Sequence, residues 1–279
     1  MRFWGMFRFT LSEALRKGTL LFYFGIATLI LLILSFGIGR QPSDQNVITF
    51  FGKPMILSGP ISFNAIEFLL IQLHSLSSFW IILFGVLGVA GLIPEMLEKG
   101  TIDLFLSKPL SRMELLFARA LGSVMGMSVN MIYFIFGIWC IFGLKLGVWN
   151  TGFLASSIYL TYAFLCLFSV VTIAGLITRS AGFSIMLTFA FTIIAWGLEL
   201  REKGLYMIWD NTLYHRFLDG LYYGLPQFDA MLANCTRIIG KNPFNPNVAD
   251  FTFMPFVYSF FSTCLLYGLS LWYFSRQDY

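Results

Sequence analysis

The stretch Phe153-Leu-Ala-Ser-Ser-Ile-Tyr-Leu-Thr-Tyr-Ala-Phe-Leu-Cys-Leu-Phe-Ser-Val-Val-Thr-Ile-Ala-Gly-Leu-Ile-Thr178 contains no Asp, Glu, Lys or Arg, and Arg179 alone separates it from a second such run, Ser180–Leu198. About 20 apolar residues cross a bilayer as a helix. The apolar residues follow one another without period-2 alternation, which argues for helices and against barrel strands. Working outward, four more uncharged runs are long enough to span: Thr19–Gly39, Phe68–Ile93, Ala120–Leu144 and Phe251–Ser275. The fourth span in chain order is expected to start near Phe153, after a turn around Lys145–Gly152. The predicted fold class is therefore an all-α integral membrane protein with six transmembrane helices, at about 19–39, 68–93, 120–144, 153–178, 180–198 and 251–275, within a single domain over 1–279.

Composition agrees. Of 279 residues, 58% are hydrophobic and only 11% charged, against about 25% charged in soluble domains. A soluble enzyme, a disordered chain and a disulfide scaffold are excluded on that ground. Cys140, Cys166, Cys235 and Cys264 form no C-x-x-C, and three of them lie in apolar runs where a small hydrophobe packs well. The first apolar run is too long for the core of a signal peptide and no A-x-A site follows it. Six spans place both ends of this stretch on one side. The pieces 1–18, 94–119, 179 and 276–279 hold the whole formal charge of +4, so the positive-inside rule predicts N-in and C-in. Within 1–18, Phe3, Phe7, Leu11 and Ala14/Leu15 recur at helical spacing while Arg8, Ser12, Arg16 and Lys17 take other faces. That pattern predicts an amphipathic interfacial helix.

Between the second and third spans lies Pro94-Glu-Met-Leu-Glu-Lys-Gly-Thr-Ile-Asp-Leu-Phe-Leu-Ser-Lys-Pro-Leu-Ser-Arg-Met-Glu-Leu-Leu-Phe-Ala-Arg119. Pro94 suits a first helical position, with Glu95 and Glu98 favoured by the helix dipole. Gly100 can take the left-handed conformation that ends a helix. Thr101 can cap a second short helix carrying Asp103, which Pro109 stops. Ser111-Arg-Met-Glu114 reads as a capping box opening a third helix that runs into span three. The expectation is a helical elbow on the cytoplasmic face.

Glu-x-x-Glu-Lys-Gly-Thr, an apolar run, and then Ser-Lys-Pro-Leu-Ser-Arg resembles the coupling loop of ABC-2-type transporter permeases. Leu221-Tyr-Tyr-Gly-Leu-Pro-Gln-Phe-Asp229 is similar to the Pro-centred segment before their last span, and Phe274-Ser-Arg-Gln-Asp278 to their ending. The resemblance is strongest to the six-span permeases grouped with nitrous oxide reductase and multicopper-enzyme maturation. It implies that Glu95, Glu98, Gly100, Thr101, Ser107, Pro109 and Arg112, with Lys99 as a departure from the usual acidic or polar residue, couple to an ABC ATP-binding subunit. It further implies ATP and Mg on that partner, a second permease copy or paralogue, surrounding membrane lipid, and a place in a bacterial cytoplasmic membrane. Neither Gly52-Lys53-Pro54 nor Gly240-Lys241-Asn242 has P-loop context, so no cofactor is expected on this chain. The chain is expected to be a transport subunit and not an enzyme.

His74 is the one clearly ionisable residue inside a span, among Gln72, Ser75, Ser77 and Ser78. Intramembrane ionisable groups are functional candidates, and Glu67 lies seven residues earlier on roughly the same face. A polar pathway and a structural hydrogen bond both fit. His215 and Asp219 form H-x-x-x-D, which on a helix reads as a surface pair; with two histidines and no H-E-x-x-H, no metal site is expected. The segment 199–250 predicts two short re-entrant-type helices, around Leu213–Leu221 and from Phe228 to near Gly240, separated at Pro226. Gly122 and Gly126 form a G-x-x-x-G suited to close helix approach. The aromatics read as bilayer packing, and nucleic acid is not indicated. The rivals are an intramembrane lipid-modifying enzyme built around His215 and a non-transporting, ATPase-coupled membrane anchor.

Overall fold

In the computed structural model the described residues are 2–40, 48–54, 65–102, 111–240 and 250–277. Among them, six helices are long and apolar enough to cross a membrane, and the chain is an integral membrane protein with multiple spans. α1 (Arg2–Arg16) is followed by α2 (Gly18–Gly37), the two separated at Lys17, whose backbone is extended. Ile38 leaves α2 in an extended conformation and opens a small antiparallel sheet, β1 (Ile38–Arg40), β2 (Ile48–Phe50) and β3 (Lys53–Pro54). Ile38 faces Phe50, and Thr49 faces Pro54. Phe51 and Gly52 both have positive φ, 49° and 76°, the geometry of a primed hairpin turn. This small sheet is an addition to the all-α, six-span architecture, which the structure bears out. Its strands of two or three residues are too short to leave a period in the sequence.

The second span is Ile66–Met96, formed by α3 (Ala65–Val89), a turn at Ala90–Gly91, and α4 (Leu92–Met96). It starts before the expected Phe68. Pro94 is the third residue of α4, not its first; the helix is already begun by Leu92 and Ile93, both fully buried. α5 (Arg112–Leu146) has 35 residues, about 50 Å at 1.5 Å per residue, against about 30 Å of hydrocarbon. The helix is therefore longer than the hydrocarbon is thick. The capping box is formed: the Glu114 amide donates to Ser111 Oγ (3.2 Å) and the Ser111 amide donates to Glu114 Oε2 (2.9 Å). Gly147 ends α5 at φ 65°.

Asn150 caps α6 (Thr151–Thr178) by accepting from the Phe153 amide. Arg179 and Ser180 turn the chain into α7 (Ala181–Glu199), which passes through a π-helical turn at Arg201–Leu205 into α8 (Thr212–Gly224), α9 (Phe228–Ile239) and α10 (Met254–Arg276). α6 is the central element. Of its most apolar window 72% is buried, against 22% for α7 and 28% for α2 and α10. α6 packs against α3, α4, α5, α7, α9 and α10. Several of its hydroxyls return to its own carbonyls, Ser169 to Cys166 and Thr172 to Phe168, which satisfies these polar groups without water. The peripheral spans expose side chains such as Phe22, Phe36 and Phe183, the surface a lipid solvent requires.

Candidate functional site

At one end of the bundle gather α1, the α4 elbow, the start of α5 and the end of α10. Lys17 Nζ donates to both carboxylate oxygens of Glu95, at 2.6 and 2.8 Å. Glu13 forms an ion pair with Arg119, whose guanidinium is almost completely buried. Arg112 donates to the carbonyls of Ser275 (3.1 Å) and Gln277 (2.6 Å), neutralising the negative end of α10. Arg179 donates to Gln277 Oε1 at 2.9 Å. The candidate coupling residues thus divide. Glu95 and Arg112 are held within the chain. Glu98, Lys99 and Gly100 are exposed, and the Glu98 carbonyl accepts from the amides of Thr101 and Ile102. Gly100 has φ +87°, where any side chain would be strained. Ser107 and Pro109 lie outside the described residues, as does Asp103.

α1 meets α5 closely. A Cβ at Gly122 would stand 2.8 Å from Thr10 Cγ2, and one at Gly126 2.8 Å from Ala14 Cβ. The G-x-x-x-G therefore serves a contact within the chain. The buried stripe of α1 is Met6, Thr10 and Ala14; of the expected face, Ala14 belongs to it, Phe3, Phe7 and Leu11 are half-buried and Leu15 is exposed. The small residues of α5 select the small residues of α1, leaving the larger apolar groups toward the edge.

His74 is buried, its Nδ1 lies 3.1 Å from Ser78 Oγ, and that hydroxyl also donates to the His74 carbonyl at 2.6 Å. Its ring meets Phe153 edge-on, with centroids 5.9 Å apart. Glu67 lies elsewhere, about two helical turns toward the far end, where a Cβ on Gly240 would stand 3.1 Å from its Oε2. The two are not brought together.

The far end carries a network that pattern reading missed. Asp219 Oδ1 accepts from Arg201 Nε at 2.9 Å and from the Tyr206 hydroxyl at 2.6 Å. These two hydrogen bonds, Tyr206 first, hold its carboxyl below the ordinary carboxylate value. The Arg201 guanidinium stacks on Tyr222 at 3.7 Å, and the Tyr222 hydroxyl donates to Glu199 at 2.7 Å. His215 stacks on Tyr206, centroids 4.2 Å apart. Asp219 is thus committed to Arg201 and Tyr206, and the expected His215–Asp219 pair is not a hydrogen-bonded one. The available signal was Tyr206 and Tyr222 flanking the H-x-x-x-D with a basic residue just past span five.

α9 docks by backbone approach. Asn150 Nδ2 donates to the Ile239 carbonyl at 2.9 Å. A Cβ at Gly152 would fall 2.2 Å from the Ile238 carbonyl oxygen, so this position admits no side chain. Among the described residues, no group of three His, Cys, Asp or Glu could hold a metal ion, and the four cysteines are free. Against known proteins, no family model and no curated protein matches the chain.

Proposed function

We propose that the chain is the membrane-spanning permease subunit of an ABC-2-type transporter, moving or exporting a substrate with energy from a separate ATP-binding subunit. The observation that carries the reading is the elbow. Its Glu-x-x-Glu-Lys-Gly-Thr sequence includes a left-handed Gly100 and three successive exposed residues, Glu98, Lys99 and Gly100, after the second span. The Lys17–Glu95 ion pair ties that elbow to α1, and the Glu13–Arg119 pair ties α1 to α5. A push on the elbow would so reach two spans through charged contacts, which is what coupling to a nucleotide-driven partner requires. On this reading the elbow end is cytoplasmic, α1 lies at the interface, α8 and α9 cap the pathway as re-entrant helices, and ATP and Mg belong to the partner. A second copy or a paralogue completes the path.

The enzyme alternative draws no support from His215, because Asp219 is engaged by Arg201 and Tyr206. The test is affinity purification from gently solubilised native membranes, comparing wild type with Glu98→Arg and Gly100→Pro. A co-purifying ATPase that is lost in the variants is the expected result. Its absence from wild type would sink the permease reading, and an ATPase that hydrolyses ATP with an external partner but moves no cargo would favour the anchor.

A further inference from the structure

At the end opposite the elbow, α7, α8, α9 and the first turns of α10 enclose a cavity of about 480 Å³, within the ~300–1,000 Å³ range of small-molecule sites. Some polar groups of its wall are already engaged. Arg201 is held by Asp219 and by Glu202 at 3.5 Å, and Glu199 accepts from Tyr222. The wall also carries the second carboxylate oxygens of Glu199 and Glu202, but its buried groups without a partner are two donors. Gln227 is 5% exposed, and its Nε2 is buried with no acceptor among the described residues. Arg237 Nε is likewise buried without one, while its Nη1 reaches Asn234 Oδ1 at 3.3 Å. No described carboxylate forms an ion pair with Arg237. Buried donors without acceptors are destabilising, so the cavity is complementary to a ligand that brings oxygen acceptors and negative charge.

The depth of the cavity narrows the ligand class. Met254, Pro255 and Tyr258, in the first turns of the span α10, line it. A site at the mouth of a span lies at the level of lipid headgroups. Tyr223, Tyr258 and Met254 are lining residues that remain exposed, an amphipathic rim suited to a glycerol backbone and its first methylenes.

We propose that this cavity binds the phosphodiester headgroup of a phospholipid, with Arg237 and Gln227 donating to the phosphate oxygens. The site stands whether or not the chain moves cargo. The test uses the full chain, purified, stripped of lipid and titrated with dihexanoyl phosphatidylglycerol, with bound ligand counted by native mass spectrometry. Glycerol phosphate and inorganic phosphate form parallel arms.

The expected result is one phospholipid bound, with affinity about tenfold to a hundredfold weaker in Arg237→Gln and weaker in Gln227→Leu. Arg237→Lys, which keeps the charge, should recover part of the loss. Arg216→Gln, on the exposed face of α8, should bind as wild type. Both soluble phosphates should bind more weakly than the lipid. Equal affinity in wild type and in a folded Arg237→Gln protein would overturn the site, as would an equal loss in Arg216→Gln. Glycerol phosphate binding as tightly as the lipid would overturn the lipid assignment in favour of a soluble oxyanion.

Discussion

The two ends of the bundle are built on opposite plans. At the elbow end, charged side chains join segments far apart in sequence: Lys17 to Glu95, 78 residues away, and Arg112 to the Gln277 carbonyl, 165 residues away. At the far end the ion pairs are local, Arg201 reaching Asp219 only 18 residues on, and distant segments meet chiefly through backbone and uncharged groups. Asn150 on the Ile239 carbonyl and the bare Gly152 beside Ile238 are the main examples; Arg40 on the Leu146 carbonyl is a charged exception. Charged contacts can be exchanged with water or with a partner when segments shift. A backbone-to-backbone seat cannot loosen by degrees. The first plan suits an end that moves, the second an end that holds.

The largest effect should come from removing the partner of a buried charge. Glu13→Gln removes one carboxylate from the buried Arg119 guanidinium, a cost of up to about 3–5 kcal/mol, read as a lowered unfolding midpoint in detergent. Pairing it with Arg119→Met should recover most of the loss; a Glu13→Gln protein as stable as wild type would break the account of the elbow end. Next, Gly152→Ala drives a Cβ into the Ile238 carbonyl, costing about 1–3 kcal/mol as overpacking. Hydrogen exchange should speed up across Phe228–Ile239 and leave the elbow unaffected. Exchange that rises at both ends equally would show that they are not independent.

Lys17→Met should matter less to stability. The pair is partly exposed, at 23% for Lys17 and 43% for Glu95, so about 0–1 kcal/mol is at stake. If the proposed permease role holds, its sharper signature is functional: stimulation of a co-purified ATPase should fall while binding persists, and unchanged stimulation would remove this link from the proposal.

A further effect is pH-dependent. Burial, then the Glu199 carboxylate, pushes the Asp229 carboxyl up to about 6 from the ordinary 3.8. The folded state therefore holds the extra proton, and Asp229's contribution to stability falls as pH rises from about 4 to 6. Asp219 acts with the opposite sign: its lowered value contributes stability above the ordinary carboxylate pKa that is lost in acid. Asp229→Asn should remove the downward slope between pH 4 and 6 in a melting series and leave the Asp219 slope, below about pH 4, in place.

The spans were legible because a charge inside hydrocarbon is so costly that its absence marks each run. Ser111–Glu114 and Gly100 were legible because a capping box and a left-handed residue are properties of a few adjacent positions. The hairpin at Ile38–Pro54 was not, since strands this short carry no alternation. Nor was the Arg201–Asp219–Tyr206 cluster, because a π-helical turn places its members outside any 3.6-residue period. Gly122 and Gly126 announced a close approach but not its partner; Thr10 and Ala14 were small enough to receive them, yet the phenylalanines of the same helix gave the stronger pattern.

The Arg112 contact also fixes an order of events during synthesis. Its acceptors at residues 275 and 277 emerge more than 160 residues after it, roughly 10–30 s later at ~5–20 residues per second. Until the sixth span has been made and inserted, the Ser275 and Gln277 carbonyls are not there for Arg112 to hold. A nascent chain with five spans in the bilayer therefore lacks these two contacts, and the seam between the first turn of α5 and the end of α10 is among the last to close.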